Sequence, residues 1–95
     1  MYHDKETAKK LEDLIVNDHD LHTFEVSPWG QKIEISLIDA RGANYLPRAG
    51  YVTVAPVGGE FRYLGFNPFD EAEQMFRMLA QSHARVLPTD LRNPA

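Results

Sequence analysis

Two stretches of alternating apolar and polar residues, each interrupted by a turn signal, most strongly restrict how this chain can fold. In the first, Phe24 and Val26 alternate with polar residues before the sequence SPWG, and Ile33 and Ile35 alternate after it. Alternation with a period of two is typical of half-buried strands, and Pro and Gly favour a tight turn between them. Residues 21–39 are therefore predicted to form a β-hairpin.

The charges of this hairpin suggest its register. A four-residue loop sets Glu25 opposite Lys32 and Phe24 opposite Ile33. Apolar side chains then share one face, and opposite charges pair on the other. We therefore expect this register.

A second hairpin is predicted over residues 51–66, where YVTVAPV and EFRYLGF flank the pair Gly58–Gly59. Two glycines between alternating runs are a strong signal for a two-residue turn. That turn sets Val54 opposite Tyr63 and Tyr51 opposite Phe66. One face of the second hairpin then carries Val52, Val54, Phe61 and Tyr63. The other face carries Tyr51, Thr53, Ala55, Val57, Arg62, Leu64 and Phe66.

Helical patterns flank the two hairpins. Residues 5–17 have Asp4 as a candidate N-cap and an apolar stripe at spacings of three and four, namely Ala8, Leu11, Leu14 and Ile15. The last helix starts near Asn67–Pro68, ends before Pro88, and carries the stripe Ala72, Met75, Phe76, Leu79, His83 and Val86. The order α-β-β-β-β-α predicts an α+β fold with two layers, in which two helices pack on one face of a four-stranded antiparallel sheet.

Composition narrows the class of protein. The chain has 95 residues, a formal net charge of −4 and no cysteine, which excludes a disulfide framework, a zinc ribbon and thiol catalysis. We expect one domain over residues 1–87 and a flexible tail over 88–95. An apolar leader and a long apolar run are missing, so we expect a cytoplasmic protein that does not enter membranes. Without a basic field, nucleic acid is not an expected partner.

The sequence NDHDLH at residues 17–22 is a candidate metal site. A turn can bring His19, Asp20 and His22 together, and imidazole with carboxylate suits divalent metals. However, a further ligand would have to come from elsewhere, and the i, i+4 histidine pair of helical metal sites is missing. A helix-to-strand turn accounts for the same residues, so we expect no metal and no cofactor.

The connection over residues 39–50 is the candidate ligand-binding segment. It is longer than the ~4–6 residues typical of compact domains. Its candidate contacts are Arg41, Asn44, Tyr45 and Arg48. Two guanidinium groups near a tyrosine can hold a carboxylate or phosphate. They can equally pair with Asp39 and cover the sheet.

The face predicted to lie away from the helices is apolar in the second hairpin, which is typical of an interface. The candidate interface residues are Trp29, Tyr51, Val57, Leu64 and Phe66. Ser82 and His83 are adjacent on a helix, so they point about 100° apart and do not form a nucleophile–base pair. We therefore expect a non-enzymatic protein that acts through protein contact, as a homodimer or homo-oligomer. The alternative is a small-anion binder or minor enzyme that uses the 39–50 connection.

Purified protein is expected to contain no stoichiometric divalent metal, because NDHDLH offers too few ligands at generic spacing. Elemental analysis of protein prepared without chelator tests this. Near one equivalent of zinc, manganese or iron that is lost on His19→Ala would contradict it.

Overall fold

The structure, a computed structural model, describes residues 4–27, 30–56 and 59–82. Its elements are α1 (Lys5–Val16), β1 (Asp20–Val26), β2 (Ile33–Asp39), β3 (Gly50–Pro56), β4 (Arg62–Phe66) and α2 (Phe69–Ser82). The strands form one antiparallel sheet in the order β1-β2-β3-β4. The predicted α+β class, order of elements and four-stranded antiparallel sheet are confirmed. The tail predicted over 88–95 lies outside the described residues.

Local signals at both ends define α1. The Asp4 carboxylate accepts hydrogen bonds from the Thr7 backbone N–H at 3.1 Å and from the Thr7 hydroxyl at 2.7 Å. These bonds lower the pKa of Asp4 and make it the N-cap that the sequence predicts. At the other end, Asp18 adopts a φ of 63°, a left-handed conformation that Asp tolerates better than most residues. The chain can therefore reverse into β1.

The first hairpin has a longer loop than predicted. Val26 pairs with Ile33 and Glu25 with Glu34, so the register differs by two residues from the expected pairing. A shift of two keeps every side chain on its face. Lys32 lies before the strand and still reaches Glu25, with 3.1 Å between Nζ and Oε2.

The second hairpin differs by one residue, with a larger consequence. Tyr51 pairs with Gly65 rather than Phe66, and Val54 pairs with Arg62 rather than Tyr63. A slip of one residue moves every side chain of a strand to the other face. Packing favours the observed register because a Cβ on Gly65 would lie 2.8 Å from Cε2 of Tyr51. Only glycine leaves room for this ring.

The slip gives the sheet an apolar cluster on each face. On one face, α2 packs over the cluster Phe24, Val26, Ile35, Leu37, Val52, Phe69, Ala72, Phe76 and Ala80. On the other face, α1 and the β2–β3 connection cover the cluster Leu11, Leu14, Ile38, Ala40, Ala43, Leu46, Tyr51 and Tyr63. In each strand these clusters use alternate residues, so they lie on opposite faces.

The placement of α1 therefore differs from the expectation that both helices pack on one face. Tyr51 and Tyr63 share the second face, with ring centroids 5.9 Å apart. Together with Ile38 they form an apolar area that needs a cover, and the stripe of α1 supplies it. The domain consequently has a helix above and a helix below its sheet.

Close packing fixes α2 against its own face. The Phe76 ring meets Phe24 edge-on, with centroids 5.2 Å apart. At the N-terminal end of the helix, Gly50 lets Phe69 approach β3, since a Cβ there would lie 2.7 Å from Cδ1 of Phe69. Aromatic pairs of this kind contribute beyond their buried area.

Phe76→Ala is expected to lower the free energy of unfolding by about 3–5 kcal/mol because it empties the centre of this cluster. Met78→Ala, on the same helix but 63% exposed, is the matched control and is expected to change it by less than about 0.5 kcal/mol. Denaturant unfolding of both variants measures the difference. Similar values for the two would contradict the placement of α2.

Candidate functional site

Arg41 of the β2–β3 connection is engaged within the protein. Its Nε and Nη2 donate to Oδ1 and Oδ2 of Asp39 at 3.0 and 2.9 Å, and its backbone N–H donates to Oδ1 at 3.0 Å. The guanidinium also lies 4.2 Å from the centroid of the Phe69 ring. The hydrogen bonds from Arg41 lower the pKa of the Asp39 carboxyl and raise that of the guanidinium. This two-pronged pair uses two of the five guanidinium N–H donors and holds the side chain against Asp39.

The other residues predicted for anion binding do not converge with Arg41 on one site. Asn44, Tyr45 and Arg48 are exposed. Lys10 of α1 lies near Tyr45, with Nζ 6.0 Å from the ring centroid and 3.5 Å from the backbone oxygen. The stem of Arg48 instead packs over Gly65.

The same connection covers the sheet. Ala43 and Leu46 are buried in the cluster beneath α1, and the Tyr51 hydroxyl accepts a hydrogen bond from the backbone N–H of Arg48 at 3.1 Å. Burial raises the pKa of Tyr51. The length of this connection thus has a structural use.

His22 and Asp20 of NDHDLH have different partners. The His22 ring stacks on Phe76 with 6.0 Å between centroids, while the Asp20 carboxylate accepts from the Thr23 hydroxyl at 3.1 Å. Within residues 4–27, 30–56 and 59–82, no three His, Asp or Glu side chains are grouped so that they could hold a metal ion. The expectation about metal content stays a prediction.

The described candidate interface residues are divided between the two faces. Tyr51 is 1% exposed beneath α1 and Leu46, so this part of the expected patch is closed locally. Leu64 and Phe66 are half-buried and lie on the α2 face at the edge of the sheet. Trp29 and Val57 lie outside the described residues. The slip of β4 is the physical reason for this division.

Leu64 and Phe66 lie beside one flank of α2. Met75, Met78 and Leu79 follow at spacings of three and four on this helix, so they share a stripe. Asp70 and Glu73 stabilise the charge of Arg41 next to β2. On the other flank, Met75 and Leu79 pack against the same cluster as Phe66, whereas Met78 lies on the outer side of the helix and is 63% exposed. We call the residues Leu64, Phe66, Met75, Met78 and Leu79 the β4 apolar surface.

The β4 apolar surface is only partly closed. Phe66, Met75 and Leu79 pack against the α2 cluster while remaining half-exposed, and Met78 is 63% exposed. Sequence reasoning found Leu64 and Phe66 but missed the methionines. The available signal was Met78, an apolar residue outside the buried stripe of its helix.

The two edge strands of the sheet differ in how well they are protected against pairing with another strand. β1 has an irregular register between Asp20 and His22 and carries the charged residues Asp20 and Glu25. Irregularity and charge both discourage pairing with another strand. β4 has a regular register over its five residues, and among the described strands none lies beyond it. The apolar surface therefore borders the less protected edge.

A groove of about 480 Å³ lies between α1 and the residues before β4. Its lining consists of Lys5, Ala8, Lys9, Glu12, Glu60 and Phe61. Charges of both signs line it in equal number, so it favours no single class of charged ligand.

Comparison with known proteins gives no significant match to a family model, a curated protein or a solved structure. The function therefore has to be derived from the residues of the site. Among the described residues, no helix has both the length and the apolar character needed to cross a membrane.

Asp39→Asn is expected to lower the free energy of unfolding by about 1 kcal/mol at neutral pH, since the ion pair is partly exposed. The lowered pKa of Asp39 means that its carboxylate stabilises the fold above the unfolded-state value of about 3.9. That contribution is lost as the pH falls through the folded-state value.

The difference between wild type and Asp39→Asn should consequently shrink as the pH falls below about 4. Glu6→Gln is the control, because its pair with Lys10 at 3.5 Å is more exposed. Denaturant unfolding at several pH values measures both. A difference for Asp39→Asn that is independent of pH would contradict this account of the Asp39–Arg41 pair.

Proposed function

We propose that this protein is non-enzymatic and acts in the cytoplasm by binding protein, a second copy of itself included, through the β4 apolar surface. The observation that carries the proposal is the partial exposure of Leu64 and Phe66 on β4 and of Met75 and Leu79 on α2, a surface that Met78, 63% exposed, continues on the outer side of the helix. Apolar side chains grouped at an open edge are typical of interaction sites. The lack of cysteine in the chain supports a reducing compartment.

Physical chemistry also supports this surface. Burial of apolar area contributes about 25 cal/mol per Å², and methionine adapts its shape to different partners. Arg62 adds a charge at the start of β4, where its Nη2 lies 3.8 Å from Oε2 of Glu60. An apolar centre with a charged rim is the usual composition of a protein interface.

The anion-binding alternative has less support. It relied on Arg41 and Arg48 as two cations near Tyr45. Since Arg41 is paired with Asp39 at 2.9 Å, the Asp39 carboxylate already offsets its charge, and an anion would gain less from it.

Site-specific photo-crosslinking in cells that express the full chain tests the proposal. A benzophenone amino acid at Met78 should give a defined protein adduct, because this position borders the proposed contact. The same probe at Asp13, which is exposed on α1, is the control position and should give none. Equal adducts from both positions, or none from Met78, would contradict the proposed site.

Binding of the identified protein, once purified, should then fall about 100-fold or more on Leu64→Glu, a loss typical of interface hot spots. Val16→Glu is the matched control, since it makes the same change at an apolar residue that is 79% exposed on α1. Circular dichroism checks that both variants fold. Equal binding by the two variants would contradict the proposal.

A further inference from the structure

The register of the sheet determines which part of α2 lies beside each residue of β4. Gly50 opposes Phe66, the last residue of β4. Gly50 also lies against the ring of Phe69, the first residue of α2. The end of β4 is therefore level with the start of α2.

The start of β4 is level with a later part of the same helix. Pairing through β2 places Phe24 in one row of the sheet with Val54 and Arg62. The Phe76 ring, in the middle of α2, meets Phe24 with 5.2 Å between centroids. The helix therefore runs antiparallel to β4, and Leu79, which follows Phe76 by almost one turn, lies near the level of Arg62.

This arrangement gives the β4 apolar surface four corners. Phe66 at the end of β4 and Leu79 late in α2 are the apolar corners. The two other corners are charged, with Arg62 at the start of β4 and Glu71 in the first turn of α2. Glu71 shares a flank of the helix with Met75, because residues four apart are neighbours on a helix surface. The two charges thus lie on one diagonal, and the two apolar corners lie on the other.

Both charged corners extend into solvent. The Arg62 side chain is 53% exposed, and the carboxylate that lies 3.8 Å from it belongs to Glu60, which is 62% exposed. An ion pair with this exposure contributes little to stability. Glu71 is also exposed. Each charge can therefore approach an opposite charge on a partner without leaving the surface of its own domain.

We propose that a second copy of this chain packs its own β4 apolar surface against this one, across a two-fold axis that passes between Leu64 and Met75. This inference rests on the proposed function and names the partner. The axis is perpendicular to the surface, so these two side chains of each copy meet at the centre of the contact. Side chains form this contact, and each sheet keeps its own strand pairing.

The positions of the charges identify a second copy as the occupant. A half-turn about the axis exchanges the two corners of each diagonal. Arg62 therefore faces Glu71 of the second copy, and Phe66 faces Leu79 of the second copy. If the charged corners had the same sign, the half-turn would oppose like charges. If each charge lay diagonal to an apolar corner, it would bury a charge without a partner. The observed pattern avoids both, as a contact between identical surfaces requires.

Charge reversal tests the axis, because two variants that each fail alone should combine. In Arg62→Glu and in Glu71→Arg, both charged contacts oppose like charges, so each dissociation constant should rise about 100-fold or more. An equimolar mixture of the two variants has opposite charges at both contacts and should dimerise with nearly wild-type affinity. A mixture that stays monomeric would overturn the proposed axis.

Arg77→Glu is the matched control, since Arg77 is an exposed arginine on the other flank of α2. This variant should dimerise like the wild type, and its mixture with Glu71→Arg should not rescue the latter. Rescue by Arg77→Glu to the same extent as by Arg62→Glu would contradict the assignment of the pair.

Analytical ultracentrifugation of the full-length protein measures these constants, and circular dichroism checks that each variant folds. The wild type should be a dimer at micromolar concentrations, and a monomeric wild type would overturn the dimer. The proposed function would still stand if Leu64→Glu lost binding to a different protein found by photo-crosslinking. A dimer that neither Arg62→Glu nor Leu64→Glu weakens would overturn this inference and, if the probe at Met78 also gave no adduct, the proposed function.

Discussion

The packing of Tyr51 against Gly65 is the contact on which the rest of the structure depends. It sets the register of β3 and β4, because any Cβ at Gly65 would meet the Tyr51 ring and the stem of Arg48. With this register, Tyr63 joins Tyr51 on one face while Leu64 and Phe66 join Val52 on the other. Each face becomes apolar, and each requires its own helix.

The two faces of the sheet are covered to different extents. The candidate site lies where the cover is incomplete. α1 shares its face with the β2–β3 connection, whose Ala43 and Leu46 extend the cover. On the other face the cover that the described residues provide is α2, with Phe69, Phe76 and Ala80 buried and Met75 and Leu79 half-exposed. One helix is about 10 Å across, which is less than the width of four strands spaced 4.8 Å apart. The side of β4 is consequently left partly open.

The sequence was sufficient to predict the helices and strands, but not to predict on which face of the sheet each side chain lies. Local signals define the elements: Asp4 caps α1, and strict alternation marks β1, β2 and β3. The Gly58–Gly59 pair suggested a two-residue turn. The register depends instead on the contact between Tyr51 and Gly65, which are fourteen residues apart in the sequence, and no local turn rule contains this contact. The first hairpin was also misjudged, but by two residues, which preserves the faces.

The candidate site was predictable only in part for the same reason. Leu64 and Phe66 were identified as apolar residues on an open face, although they lie on the opposite face from the one expected. Arg41 was a candidate for binding an anion, and its pair with Asp39 was the alternative that the structure contains. Whether an arginine pairs internally or faces a ligand depends on side-chain geometry, which the spacing of two residues does not determine.

Gly65 connects the fold with the proposed contact. Its lack of a side chain admits Tyr51 and Arg48 on one face of β4, and its neighbour Leu64 lies on the other face. A larger residue there would disturb the register before it disturbed any contact, so loss of binding on such a change would say nothing about the interface. Leu64 separates the two effects, because its side chain belongs to neither buried cluster of the described residues. The fold depends on the glycine, whereas the proposed contact depends on the leucine beside it.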